Sequence, residues 1–225
     1  APSVIHLYGI EEQYTLQEQN VQFTSSGNVT TADGRSIDIN ISISMSSRFE
    51  QYYRREGIEP VTMCDPLVMN FSGDVASLSD QSFFFDLDND GTDDEISMPG
   101  EGNGFLALDK NGDGVINNGS ELFGTKSGDG FYDLSAYDFD QNGWIDENDS
   151  VFSKLKIWTK DEAGRDQLID LLKADVGAIF LGNVDTQFSL KDSDNNLNAE
   201  VRKTGVYLKE STGLAGTIAH VDLAI

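Results

Sequence analysis

Between residues 86 and 149 the chain carries three strings in which oxygen-bearing side chains recur at odd positions and then meet a glycine. They read Asp86-Leu-Asp88-Asn-Asp90-Gly91-Thr92-Asp-Asp94, Asp109-Lys-Asn111-Gly-Asp113-Gly114-Val115-Ile-Asn117 and Asp138-Phe-Asp140-Gln-Asn142-Gly143-Trp144-Ile-Asp146-Glu-Asn-Asp149. A hard divalent cation, calcium above all, asks for roughly six to eight oxygens, supplied by side chains at positions 1, 3, 5, 9 and 12 of a loop and by the carbonyl of position 7. Glycine at position 6 permits the sharp turn. Three such strings so close together force much of the chain to be organised around bound ions.

Position by position, the third string is complete: Asp138, Asp140, Asn142, the Trp144 carbonyl, Asp146 and, at position 12, Asp149. The second offers Asp109, Asn111, Asp113, the Val115 carbonyl and Asn117, but its twelfth residue is Ser120 and a carboxylate arrives one residue late as Glu121. Glu121 is favoured over Ser120 as the closing ligand, because the extra methylene offsets the slip. The first string supplies Asp86, Asp88, Asp90, the Thr92 carbonyl and Asp94, and ends on Ser97 with no twelfth carboxylate. The expectation is two to three Ca2+ ions. Asp161–Asp166 and Asp192–Glu200 look similar but lack ligands or glycine where needed, and read as Asx-rich turns.

The flanks differ. Ile37–Met45 alternates strictly, isoleucines against Asp, Asn and Ser, as a half-buried strand does. Ala32-Asp33-Gly34 supplies a turn, and Val21–Thr24 an antiparallel partner. Residues 47–64 lose the alternation and read as a short helix or exposed link. Strands are expected at 67–71, 82–85 and 95–98, so the first loop joins two strands. The second and third loops have helical flanks at 120–123, 131–137 and 150–155. A strand over 156–159 precedes an amphipathic helix over 167–174, capped by Asp166 and ended by Gly177. A strand follows at 178–181, and residues 187–225 alternate enough for three more, with turns at Asp194–Asn196 and Ser211–Gly213.

The loops and their flanks are similar to a family of bacterial EF-hand-like calcium-binding proteins. Gly104-Phe-Leu-Ala-Leu-Asp109, Asn117-Asn-Gly-Ser-Glu-Leu-Phe-Gly124, Trp144-Ile-Asp146 and Leu155-Lys-Ile-Trp158 carry the resemblance. The same phrases recur in large secreted repeats-in-toxin and adhesin-like proteins. It covers residues 83–182, supports Glu121 as the closing ligand, and implies calcium binding without implying any chemistry. The strand-flanked first loop resembles instead the calcium hairpins of integrin-type β-propeller blades. The expected fold is therefore α+β: an antiparallel β-rich framework with a central EF-hand-like pair of calcium loops and short helices. Residues 1–64 would form an N-terminal hairpin region and link, and 65–225 the calcium-binding domain, its EF-hand-like core spanning 104–158.

Composition narrows the function. The 225 residues carry 39 acidic against 15 basic side chains, a formal charge of −24, which argues against nucleic acid or an anionic membrane surface as partner. No apolar run reaches membrane-spanning length, so membrane insertion is not expected. Cys64 is the only cysteine and reads as a small buried side chain. His6 and His220 stand far apart in sequence, which argues against zinc and against histidine catalysis. The leading expectation is a structural or interaction module in which Ca2+ stabilises the fold and a surface for a protein or glycan partner, in an extracellular or cell-surface setting. The alternative is a calcium-dependent hydrolase or a carbohydrate-binding protein using Tyr52, Tyr53 or Trp158. A deep pocket holding two carboxylates that do not touch calcium would favour the hydrolase.

Overall fold

The computed structural model describes residues 11–30, 36–55, 63–72, 77–161, 163–191 and 197–224. Thirteen strands follow in chain order: β1 (Glu11–Thr30), β2 (Ser36–Arg55), β3 (Met63–Cys64), β4 (Leu67–Asn70), β5 (Leu78–Phe85), β6 (Asp94–Pro99), β7 (Asn103–Leu108), β8 (Trp144–Ile145), β9 (Leu155–Lys160), β10 (Asp166–Asp170), β11 (Val176–Lys191), β12 (Leu197–Lys209) and β13 (Ala215–Ala224). A nine-stranded antiparallel sheet runs in the order β10-β9-β7-β4-β13-β12-β11-β8, with β3 pairing onto β13. The hairpins β1-β2 and β5-β6 stand apart from it as two-stranded sheets.

The large sheet is buried on both faces, and its strands therefore read as continuous apolar runs. Successive residues of one strand enter different cores. Leu67, Met69, Leu106, Leu155, Ile157 and Ile218 join Phe123, Phe131, Leu134 and Ile145 on one side. Val68, Phe105, Ala107, Trp158, Ala219 and Val221 join Phe85, Leu87, Ile96 and Ile116 on the other. The β1-β2 hairpin, with 20-residue strands, lays Phe23 and Ile43 against Val206. Each such side chain withdrawn from water stabilises the contact by roughly 1.5–3 kcal/mol. The Ser189 amide also donates to Gln19 Oε1 at 2.9 Å.

The architecture corrects the α+β expectation: the fold is mostly antiparallel β. Among the described residues there is one α-helix, α1 (Gly130–Ser135), and the other helical flanks shrink to 3₁₀ turns at Gly119–Glu121 and Phe152–Lys154. The central pairing of two calcium loops does not form. Ile145, at position 8 of the third loop, pairs with Ile179 of β11. Ile116, at position 8 of the second, packs into the opposite core. Each loop is thus tied to the sheet separately.

Two further corrections concern periodicity. The helix expected over 167–174 is β10 followed by a 3₁₀ turn, Leu171–Ala174, with Leu168 opposite Trp158 and Ile169 opposite Ile157. Apolar residues at 168, 169, 171 and 172 satisfy either period, and the two available cores decide for the strand. Asp166 accepts from Trp158 Nε1 at 3.1 Å and Lys160 Nζ at 2.5 Å, so it is no helix cap. Residues 47–55 continue β2, Arg55 facing Glu11, where a helix or link was expected. The pairing of Val21 with Met45 and Phe23 with Ile43 agrees with the sequence, as do the strands at 67–70, 82–85, 95–98 and 156–159. The turns expected at Ala32–Gly34 and Asp194–Asn196 lie outside the described residues.

Candidate functional site

Although their flanks differ, the three loops share one backbone conformation. Position 4 has positive φ in each (Asn89 at 62°, Gly112 at 77°, Gln141 at 56°), and so does position 6 (Gly91 at 93°, Gly114 at 83°, Gly143 at 82°). Only glycine adopts such angles without cost, so the sixth-position glycines are a requirement of the turn. This curls the side-chain oxygens inward, where backbone amides of the same loop hold them.

In the first loop, Asp86 accepts from the Gly91 amide at 3.2 Å, Asp88 from Asp90 at 3.0 Å, Asp90 from Thr92 at 2.7 Å and Asp94 from Leu87 at 3.2 Å. Carboxylate oxygens of Asp86, Asp88 and Asp90 lie within 4.8 Å of one another, and Asp86 Oδ1 is buried without a hydrogen-bond partner. Burial, with Asp88 and Asp90 alongside, raises the Asp94 carboxyl above its ordinary range. An all-oxygen donor set with an orphaned buried carboxylate oxygen fits a hard divalent cation.

In the second loop Asp109 accepts from Gly112 at 2.7 Å and Gly114 at 2.8 Å, and Asp113 accepts from Val115 at 2.8 Å. Asn111 donates to Asp113 at 3.0 Å and to Asn117 at 2.7 Å. Glu121, 4% exposed, turns both carboxylate oxygens onto the loop, accepting from Lys110 N at 2.9 Å and Asn117 N at 2.8 Å. Ser120 presents its main-chain carbonyl to Lys110 Nζ. The displaced glutamate therefore sits where a loop-closing carboxylate belongs.

The third loop closes the same way. Asp138 accepts from Gly143 at 2.9 Å, Asp140 from Asn142 at 3.1 Å, Asn142 from Trp144 at 2.7 Å and Asp146 from Asn148 at 2.8 Å. Asp149, 2% exposed, receives Phe139 N at 2.9 Å and Asp146 N at 3.2 Å. Oxygens of Asp138, Asp140 and Asp149 gather within 4.8 Å. Asp161, by contrast, accepts from Ala163 and Arg165 and only ties the β9-β10 turn. Trp158 is 2% exposed and belongs to a core, which removes it as a glycan platform. The side chains of Tyr52 and Tyr53 lie outside the described residues, as do Asp192–Asn196.

Away from these loops the sheet assembles a second cluster: Asp65, His220 and Asp222, with ligand-type atoms within 4.8 Å of one another. His220 and Asp222, two apart on β13, share one face of the strand by its period of two. Asp65 reaches them from the link between β3 and β4. His220 is 4% and Asp222 6% exposed; both imidazole nitrogens and Asp222 Oδ1 are buried without a hydrogen-bond partner. His220 Nε2 stands 3.4 Å from Asp222 Oδ1, while Arg202 Nε holds the other oxygen, Oδ2, at 3.2 Å. Lys203, facing His220 across β12-β13, pairs with Asp129 at 2.7 Å, and Asp129 caps α1 through the Tyr132 amide at 3.0 Å.

Burial pushes the Asp222 carboxyl up to about 7, reinforced by its hydrogen bond and charge contact with Asp65. Burial also lowers the His220 imidazole below its usual range, against the pull of Asp65 and Asp129. The cluster therefore combines a carboxyl that changes charge near neutrality, an imidazole whose neutral form burial favours and a second carboxyl. Sequence reasoning missed it, having set His220 aside because His6 stands far from it in sequence. The signal was present in Ile218-Ala-His220-Val-Asp222-Leu223, two polar residues at alternate positions of an otherwise apolar strand.

The segment carrying Asp65 is gripped on all sides. The Leu67 amide donates to Phe123 O at 3.1 Å, and the Pro66 carbonyl accepts from Val221 N at 3.0 Å. Gly124 backs directly onto the Asp65 carbonyl: a Cβ there would lie 2.1 Å from that oxygen. Cys64, 4% exposed, directs Sγ at Leu87 O (3.8 Å) and Thr125 O (3.7 Å), and burial raises its thiol to about 12, so it is structural as expected. Leu87 opens the first loop, and Phe123 and Gly124 follow directly on the second. The two loops also touch, Gly119 N donating to Asp86 O at 2.8 Å.

The fold and site thus define an antiparallel β module that carries three Asp-, Asn- and Gly-rich loops and, separately, an Asp65–His220–Asp222 cluster on its sheet. The chain belongs to the SPM domain family, which matches residues 67–224. It is also similar to the iron-regulated protein FrpA of Neisseria meningitidis serogroup C, 35% identical over 106 residues, or 42% of this chain. The matched region is 10% of that relative's length.

Proposed function

We propose that this chain is a calcium-stabilised β module that cleaves its own Asp65–Pro66 peptide bond. One observation carries the reading: both nitrogens of buried His220 and Oδ1 of buried Asp222, all without a hydrogen-bond partner, converge on a carboxylate whose own main-chain carbonyl acylates a proline. Asp65 and Asp222 are two carboxylates outside the three loops, which supports a hydrolytic reading without the deep pocket expected for a separate substrate. A separate substrate would need access, and the reactive atoms of His220 and Asp222 have almost none. A cavity of about 580 Å³ lies elsewhere, along Glu147, Phe152, Asp170 and Glu210. The peptide bond within reach of the cluster is the one Asp65 itself carries.

The chemistry balances within the three side chains and one water. An Asp65 carboxylate oxygen attacks the Asp65 main-chain carbonyl carbon and closes a five-membered cyclic anhydride. Intramolecular attack of this kind gains an effective concentration on the order of 10⁵ M or more when the geometry is held. The bond to Pro66 then breaks, its electron pair passing to nitrogen, and the protonated Asp222 carboxyl donates the proton that nitrogen needs. Proline suits the leaving position because its amine is secondary and basic, and its nitrogen has no N–H to bind the sheet. Water, deprotonated by neutral His220, opens the anhydride and leaves Asp65 with a free α-carboxyl. His220 returns the proton to Asp222 across the 3.4 Å gap, which restores the cluster.

Calcium, when bound, supplies positive charge to loops that hold fourteen of the acidic and amide side chains named above. Asp86, Asp88, Asp90, Asp94, Asp109, Asn111, Asp113, Asn117, Glu121, Asp138, Asp140, Asn142, Asp146 and Asp149 would hold it, with the carbonyls of Thr92, Val115 and Trp144. Leu87, Phe123 and Gly124 then set the segment 64–67 in place. The family match beginning at residue 67, just downstream of the bond, accords with a functional unit on that side. The test is to prepare the chain with chelator, add calcium, and follow its length on a denaturing gel. Calcium-dependent conversion to two fragments is expected. A chain that stays whole while calcium raises its melting temperature would leave a structural module only.

A further inference from the structure

We infer that Asp65, His220 and Asp222 also form a site for a borderline divalent cation of the zinc class, distinct in chemistry from the calcium loops, whose occupancy locks the module uncleaved. The lock rests on the self-cleavage reading; the site does not.

The geometry is that of ligands around one small ion. His220 Nε2 and Asp222 Oδ1 face each other at 3.4 Å without forming a hydrogen bond. Two ligands of a tetrahedral zinc, each about 2.1 Å from the metal, are separated by about 3.4 Å. An Asp65 oxygen completes three ligand atoms within 4.8 Å of one another, and an open fourth position is how such sites take a water. Burying one carboxylate oxygen of Asp222 and both imidazole nitrogens of His220 with no partner is unfavourable for the free protein, and a cation placed among them relieves it. Arg202 Nε holds Asp222 Oδ2, a bond that fixes which carboxylate oxygen points inward.

The two kinds of site sort ions by softness and ligand count. Calcium prefers roughly six to eight oxygens, which the loops offer and this cluster does not. Three ligands including an imidazole suit zinc and disfavour calcium. A zinc on the Asp65 carboxylate withdraws the electron pair that would attack the carbonyl, and on Asp222 it displaces the proton that would reach Pro66.

The test uses the full chain with calcium in excess. Cobalt chloride reports geometry through the visible bands of tetrahedral cobalt, and zinc chloride is titrated against the cleavage rate. Expected are one equivalent of tightly held zinc, tetrahedral cobalt bands, and cleavage slowed at least about tenfold at one equivalent, consistent with loss of one acid–base partner. His220→Gln, which keeps a neutral polar side chain, should lose the bands and zinc while retaining calcium; Asp222→Asn serves as a second variant if the first fails to fold. Equal zinc uptake by parent and His220→Gln overturns the site. Zinc bound at the cluster without slowing cleavage overturns the lock. Bands that depend on His220 in a chain that never cleaves would uphold the site and sink the self-cleavage reading, so the two failures remain distinguishable.

Discussion

The three loops and the Asp65–His220–Asp222 cluster handle buried carboxylates in opposite ways. In the loops every carboxylate is met by amides a few residues away: Asp109 by Gly112 and Gly114, Asp138 by Asn142 and Gly143. The donors come with the turn, so the loops are preformed and their electrostatic cost is largely met locally. In the cluster the partners come from neighbouring strands that are far apart in sequence, and the nitrogens of His220 and one oxygen of Asp222 are left without donors or acceptors. An unmade buried hydrogen bond costs about 1–3 kcal/mol. A fold that keeps several such groups side by side is holding reactive side chains ready. In the proposed reading the loops serve binding and the cluster serves chemistry.

Substitutions can break that division, and the largest effect should come from the nucleophile. Asp65→Asn replaces the attacking carboxylate with an amide, and the rate of chain cleavage should fall by about a thousandfold or more, with calcium binding by calorimetry unchanged. Cleavage at the parent rate would show that Asp65 is not the nucleophile. Next come the proton carriers: Asp222→Asn and His220→Ala should each slow cleavage by roughly a hundred- to ten-thousandfold, the range of general acid–base catalysis, measured by fragment yield over time.

Solution pH sharpens the comparison further. Asp222, raised to about 7, must be protonated to donate to Pro66 nitrogen. Its acid form is complete below that value and vanishes above it, so the rate should fall about tenfold per pH unit on the alkaline side. Asp65, His220, Arg202 and Glu200 are the ionisable groups that face it. A rate that climbs through neutral pH would assign the acid elsewhere.

The loops should respond as binding sites and not as chemistry. Calcium at about a hundredfold above its dissociation constant stabilises a site by about 2.7 kcal/mol, so chelation should lower the melting temperature by several degrees per ion. An unchanged melting curve in chelator would remove the structural role of the ions. The smallest effect is the most local: Asp138→Ala should remove one ion from the third loop and leave the first-loop ion in place. Calorimetry that counts the same number of ions in the variant as in the parent would show that Asp138 is no ligand.

What could be read from the chain follows the same line. The loops were legible because their chemistry is contained in a dozen residues, and glycine at position 6 marks the turn wherever it occurs. The strands of the central sheet were legible too, since Leu67–Asn70 and Lys156–Thr159 have no competing period. The helix expected at 167–174 was not a strand until Trp158 and Ile157 offered it partners. The pairing of the two calcium loops failed for a similar reason, since Ile145 found Ile179 of β11 before it could find Ile116. The cluster lay beyond local reading altogether. Asp65 and Asp222 meet only because β3 and β4 both pair with β13, and nothing in the spacing of those residues announces it.

The central claim is that this chain cuts itself between Asp65 and Pro66 when calcium is present. Its most direct measurement is the mass of every product after calcium is added to the chelated protein. The account expects two fragments, one ending with a free carboxyl at Asp65 and the other beginning with the secondary amine of Pro66, both absent from the chelated control. A chain that remains intact at 24.6 kDa, or one cut at any other bond, would contradict it.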